Sequence, residues 1–201
     1  MSYLDYKEEF EEIYTTYINR DGADKLLDYL EKSDFFVAPA SMRRHCSYEG
    51  GLCDHSIHVY KRMLRLVEAE YGENWQDTVS HESVAIMALL HDLCKIDTYV
   101  KDFRNVKVDG VWTKVPCYKT EEALPYGHGE KSVYIISAFL RLTREEALAI
   151  NWHMGEYDAR VKGGSYAMAD AYYKYPICLL LHLADLTATY LDEKPDGSEV
   201  Q

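Results

Sequence analysis

Apolar positions recur every three or four residues along most of this chain. Leu4, Phe10, Ile13, Tyr17 and Ile18 form one stripe, and Ala23, Leu26, Leu27 and Leu30 form another. Asp21-Gly22 separates them, so residues 3–32 are predicted as two short helices. Residues 40–53 read as irregular, and Gly50-Gly51 demands backbone conformations open to glycine. A helix is predicted over residues 54–71, with Asp54 as its N-cap and Ile57, Tyr60, Leu64 and Val67 on its apolar face. The next spans residues 80–95 and is apolar nearly all round from Val84 to Leu90, which predicts a central position. Residues 105–115 alternate instead, and Asp109-Gly110 is a two-residue turn signal, so a small β-hairpin is expected there. Helices follow over residues 128–140 and, opened by the capping box Thr143-Arg144-Glu145-Glu146, over residues 144–154. Gly155 and Gly163-Gly164 bound an expected loop, and a last helix is predicted over residues 176–191.

The pattern is that of an all-α helical bundle with a small inserted β-hairpin. We divide it into an N-terminal helical segment (1–37) packed on a main domain (38–192), with a polar, frayed tail (193–201).

Composition narrows the picture. With 201 residues, 47% hydrophobic and 28% charged, the chain is ordinary for a globular protein. A chain of this length needs neither disulfides nor a structural metal, so a metal would be there for chemistry. The net charge of −12 argues against a long nucleic-acid partner. It leaves a small nucleotide open, because a bound cation reverses the local field. Five widely spaced cysteines with no CxxC, no signal-peptide pattern and no membrane-length apolar run lead us to expect a reduced cytoplasmic protein that does not engage membranes.

The chemistry rests on histidines and aspartates. His91-Asp92 ends the most apolar helix, where both side chains need partners because an unpaired buried carboxylate is costly. A divalent cation is one such partner, and a hydrogen-bonded His-Asp pair is another. His182 and Asp185 share a helix face at i, i+3 spacing. His55 follows Gly50-Gly51 at a helix start, with His58 one turn on. His128 in Gly127-His128-Gly129 and His153 before Gly155 each sit beside glycine at a helix end. Singly, each has an ordinary structural explanation. Together, the order His, His-Asp, His, His, Asp over five helices suits a two-metal site. Asp92 would bridge, His55, His91 and Asp185 would complete one position, and His128 and His153 the other.

His55, His91-Asp92 and Asp185, with Leu89-Leu90-His91-Asp92-Leu93-Cys94-Lys95, resemble the HD-domain metal-dependent phosphohydrolases and their HD-x-x-K signature. The segments from His45 to His55, Gly127-His128-Gly129-Glu130-Lys131-Ser132, His153 and His182-Leu183-Ala184-Asp185 are similar to the HD domain of bacterial 3′-to-5′ exoribonucleases. The resemblance covers residues 38–192. It implies an HD-domain helical bundle around divalent transition metal, two ions of Mn, Fe, Ni, Co or Zn. It also implies hydrolysis of a nucleotide or short oligonucleotide, as phosphodiesterase or phosphomonoesterase, through a metal-activated water. His128 and His153 match the extra histidines of dinuclear members.

On that reading Asp92, Lys95 and Lys131 carry catalysis, the lysines by contacting phosphate oxygens, and Arg44 and His45 bind substrate. The alternative is a regulatory HD module that binds a nucleotide or a partner without turnover. Val111-Trp112 and Tyr166 are candidates to stack on a base or to form a homodimer contact.

Overall fold

The computed structural model describes residues 3–108 and 110–193. It is mostly helical, with one two-stranded antiparallel sheet. Helices α1 (Tyr3–Tyr17) and α2 (Ala23–Lys32) match the two predicted stripes. They bury Phe10, Tyr14, Leu26 and Leu30 in the same core as the later helices, α1 lying against α3 (Gly51–Tyr71) and α4 (His81–Leu90). Helix α4 is central as its sequence implies. Every residue from Val84 to Leu90 is buried, and the helix packs on α1, α3 and α6 (Arg144–Trp152). Among the described residues no helix is long and apolar enough to cross a membrane.

Several boundaries depart from expectation for physical reasons. Helix α3 begins at Gly51, not after Asp54. Gly50 precedes it at φ 83°, and a Cβ on Gly51 would stand 2.0 Å from the Cys46 carbonyl oxygen. Asp54 therefore lies within the first turn, and its carboxylate accepts from the Tyr48 hydroxyl instead of capping. Helix α4 is capped by Ser80, whose side chain accepts from the Ser83 N–H, and it stops at Leu90. His91 and Asp92 thus occupy the break between α4 and a 3₁₀ turn at Leu93–Lys95.

The inserted hairpin is longer than the alternation suggested. It comprises β1 (Tyr99–Val108) and β2 (Val111–Thr120), in unbroken register from Tyr99 opposite Thr120 to Val108 opposite Val111. Gly110 takes φ 85°, as the turn requires, while Asp109 lies outside the described residues. Helix α5 (His128–Ser137) ends before Leu140. The Thr143 capping box forms as predicted, with both reciprocal hydrogen bonds present. The loop expected after Gly155 instead contains α7 (Ala159–Lys162), capped by Asp158, and α8 (Ala167–Lys174). These short turns carry too few apolar positions for a stripe to register. The last helix, α9 (Ile177–Thr187), packs on α3 and α6 and loosens into a π-helical turn at Ala188–Asp192. Glu193, expected in a frayed tail, is buried; residues 194–201 of that tail lie outside the described residues.

Candidate metal centre

Helices α3, α5, α6 and α9 and the break after α4 aim their histidines and aspartates at one another. Asp92 stands in the middle. Its Oδ2 lies 3.5 Å from His55 Nε2, 3.4 Å from His91 Nε2 and 2.5 Å from Lys95 Nζ. Its Oδ1 lies 2.8 Å from His128 Nε2 and 3.5 Å from His153 Nε2. Asp185 Oδ1 closes the first group, 3.4 Å from His55 Nε2. Among the sets of ligand atoms that lie close enough to share a cation are His55-His91-Asp185, His91-Asp92-His153 and Asp92-Cys94-His128, which meet at His91 and Asp92; His45-His55-Glu193 and Cys46-His58-Glu193 adjoin them. All six residues of the expected ligand set are brought together.

The far nitrogens of three of these rings are already committed. His91 Nδ1 donates to the Ala88 carbonyl at 2.8 Å and His153 Nδ1 to the Ile150 carbonyl at 2.7 Å, each three residues back on its own helix. His55 Nδ1 faces the Glu193 carboxylate at 3.0 Å. A neutral ring that donates through Nδ1 presents a bare lone pair at Nε2. Two such lone pairs, those of His91 and His153, and two carboxylates then face one buried space, onto which His55 Nε2 also opens, and His153 Nε2 has no hydrogen-bond partner among the described residues. His91 Nε2 and His55 Nε2 approach to 3.3 Å, which is unfavourable unless positive charge lies between or on them. Borderline divalent cations take this nitrogen and carboxylate donor set, so the residues present fit a metal.

Charge follows the same logic. Burial opposes ionisation of Asp92, but Lys95 and the surrounding histidines hold its carboxyl well below the usual range. Asp185 is held low against burial, chiefly by His55. Burial likewise opposes a charged His55, yet Glu193 and Asp185 together push it up to about 10. Burial lowers His128, and it also lowers His45, to about 4.

The centre opens into a cleft of about 900 Å³. Arg44 and His45 line it, and His45 Nε2 is buried without a hydrogen-bond partner among the described residues. Lys95 lines it too. Lys131 does not: its ammonium is engaged by Thr98 Oγ1 at 3.1 Å and Glu122 Oε1 at 2.8 Å, so the structure turns it away from the role against phosphate assigned from sequence. Of the aromatics considered from sequence, Trp112 and Tyr166 are not among the residues lining this cleft, whereas Tyr99, Tyr157 and Tyr190 form part of its wall. Sequence reasoning missed Glu193, which touches both His55 Nδ1 and His58 Nδ1. It also missed Arg43 and Arg104 on the wall. Nothing local marks Glu193, and Arg43 had a signal only in its neighbour Arg44.

Comparison with known proteins bears on this geometry. Residues 52–190, well over half of the chain, match the HD domain family. A stretch of 67 residues is 39% identical to the dihydroneopterin 2′,3′-cyclic phosphate phosphodiesterase of Methanocaldococcus jannaschii. That match covers 32% of this chain and spans a quarter, 25%, of that relative's length. No solved structure matches the chain significantly. Neither match points to the exoribonuclease branch.

Proposed function

The chain belongs to the HD-domain family, and from that premise we propose that it is a metal-dependent phosphohydrolase acting on a nucleotide or short oligonucleotide. His55, His91, Asp92 and Asp185 would hold one divalent cation, and Asp92, His128 and His153 a second. One observation carries this reading: the two oxygens of Asp92 face different histidine groups, and the far nitrogens of His55, His91 and His153 in them are already engaged. Such cations, when bound, polarise a phosphoryl oxygen and make water acidic enough to attack it.

The chain's own residues do the rest. Lys95 lies on the cleft wall against Asp92, so it sets positive charge where a phosphoryl group would gain negative charge. His45, neutral at physiological pH because burial lowers it, would donate from its Nε2–H, which has no partner among the described residues, to a phosphate oxygen. Arg43, Arg44 and Arg104 line the approach and complement an anionic substrate, while Tyr99, Tyr157 and Tyr190 give a base or pterin-like ring an aromatic wall. His182 Nδ1 donates to the His153 carbonyl at 2.6 Å and steadies the turn that carries His153. Glu193 orients His55 as a carboxylate partner of a ligating histidine. We assign residues 38–192 to the catalytic domain, with 1–37 as a segment packed on it. The relative's cyclic phosphodiester makes small cyclic phosphates a class to include in any screen.

The test combines metal analysis of the purified protein with a panel of phosphomonoesters, cyclic phosphodiesters and short diesters, each assayed with Mn, Fe, Ni, Co and Zn. Turnover dependent on added metal, with about two ions per chain, is expected. A protein that binds these ions yet turns over nothing in the panel would favour the regulatory-module alternative.

A further inference from the structure

The hairpin carries a charge the rest of the chain does not. Between Tyr99 and Thr120 stand five basic residues (Lys101, Arg104, Lys107, Lys114, Lys119) against Asp102 and Asp109, in a chain whose net charge is −12. The unbroken register sorts these side chains. Directly opposed residues share a face, and faces alternate along a strand. One face therefore holds Tyr99, Lys101, Phe103, Asn105 and Lys107 from β1, and Trp112, Lys114, Pro116, Tyr118 and Thr120 from β2. None of these ten is acidic. The opposite face is rich in valine, with Val100, Val106, Val108, Val111 and Val115, and it carries Arg104 and Lys119 together with Asp102.

Most of the basic face is also exposed, with Lys101 lying 3.5 Å from Glu49 of the helical body. Phe103 is 65% exposed and Trp112 70% exposed, and Lys101, Lys107 and Lys114 are exposed beside them. Two exposed aromatic rings, with Lys114 between them, Lys107 opposite Trp112 and Lys101 beyond Phe103, form a poor solvent-facing surface but suit a single-stranded polynucleotide, whose bases stack and whose phosphates pair with ammonium groups. Successive side chains on one face stand about 7 Å apart along a strand, close to the step of an extended nucleotide chain. The face is continuous with the cleft. Tyr99, its first residue, lines the wall; Arg104, also on the wall, belongs to the opposite face of the same strand.

We propose that this face of the hairpin is a platform that binds a single-stranded oligonucleotide and feeds its end into the cleft. The inference rests on the phosphohydrolase reading for what happens in the cleft, and it revises the expectation that the chain takes no long nucleic acid. That expectation came from net charge averaged over the whole chain. Here the positive charge is gathered on one arm, where it acts within a Debye length of a bound strand and the distant acidic body is screened. A second copy of the chain, offering an acidic surface, is the rival occupant.

The test uses the full-length, metal-loaded protein and a fluorescein-labelled 12-nucleotide single strand with phosphorothioate linkages that resist cleavage. Wild type should bind saturably at low salt, quench the fluorescence of exposed Trp112, and prefer the single strand to a duplex. Lys107→Ala/Lys114→Ala should weaken binding about tenfold and reduce the slope of log affinity against log salt by about 1.4, two phosphates' worth for a single strand. Trp112→Ala should weaken it similarly, and Trp112→Phe should largely restore it. Hydrolysis of a small diester, bis(4-nitrophenyl) phosphate, should be unchanged in all three variants. Equal strand binding by wild type and variants would overturn the proposal, as would absence of saturable binding at about 50 mM salt. A dimer in sedimentation that the variants dissociate, with strand affinity untouched, would overturn it in favour of a second copy. Failure of small-diester hydrolysis alone would strike the phosphohydrolase reading and leave the binding result standing.

Discussion

Gly129 ties packing to the metal centre and offers a direct test of how His128 is positioned. It lies in the first turn of α5, where that helix meets the end of α6 backbone to backbone. A Cβ placed there would stand 2.2 Å from the Asn151 carbonyl oxygen and 2.6 Å from its carbon, with no flexible side chain to give way. Ordinary contact begins at about 3.4 Å, so in Gly129→Ala the start of α5 must retreat by about 1 Å. Overpacking of this kind costs about 1–3 kcal/mol, which for a chain of this length lowers the melting temperature by roughly 3–10 °C. The retreat carries the adjacent His128, whose Nε2 lies 2.8 Å from Asp92 Oδ1. Metal coordination tolerates only about 0.2 Å, so occupancy at the Asp92-His128-His153 position should fall, with the His55-His91-Asp185 position retained. Thermal denaturation and metal analysis after gel filtration read both effects. Gly163→Ala is the control, since its nearest contacts would be 3.3 and 3.4 Å and its φ is negative. A Gly129→Ala protein with wild-type melting temperature and full metal content would refute the reasoning.

His153→Ala should reduce bound metal from about two ions per chain to one and abolish turnover, whereas chelation should remove both ions and activity, with recovery on adding Mn; unchanged stoichiometry by mass spectrometry would count against the second position. Lys95→Met should lower kcat by about 10²-fold with metal retained. Lys131→Met should leave kcat and metal content near wild type while lowering stability, because its ammonium serves Thr98 and Glu122; equal loss of activity in both lysine variants would return Lys131 to the site. Glu146 is buried and accepts from Arg20, Ser83 and the Thr143 N–H. Burial opposes its charge, but these donors, Arg20 foremost, hold its carboxyl below the ordinary value of 4.5. A depressed folded pKa gives stability that is fully present above the unfolded value and lost as pH falls through the folded one. Glu146→Gln should therefore cost about 1.5–3 kcal/mol at pH 7, and the difference from wild type should shrink below about pH 5; a gap in denaturant midpoint independent of pH would contradict this.

Some of this protein is written in contiguous residues. The stripes of α1 and α2, the continuous apolar run of α4, the Thr143 capping box and the alternation around Gly110 each depend on neighbours a few positions apart, so local sequence determined them. The six candidate ligands were legible as residue types in a particular order, because glycine-flanked histidines and a His-Asp pair in an apolar helix need partners. The rest came from packing. Glu193 meets His55 across 138 positions, and no local pattern encodes that return. Lys131 is turned aside by Thr98 and Glu122, brought to it by the start and end of the hairpin. Which oxygen of Asp92 faces which ring depends on how α3, α5, α6 and α9 cross around the break after Leu90. Backbone periodicity is a short-range property, whereas a shared ion site and a sheet face joined to a cleft depend on the relative placement of distant elements, which tertiary packing alone decides.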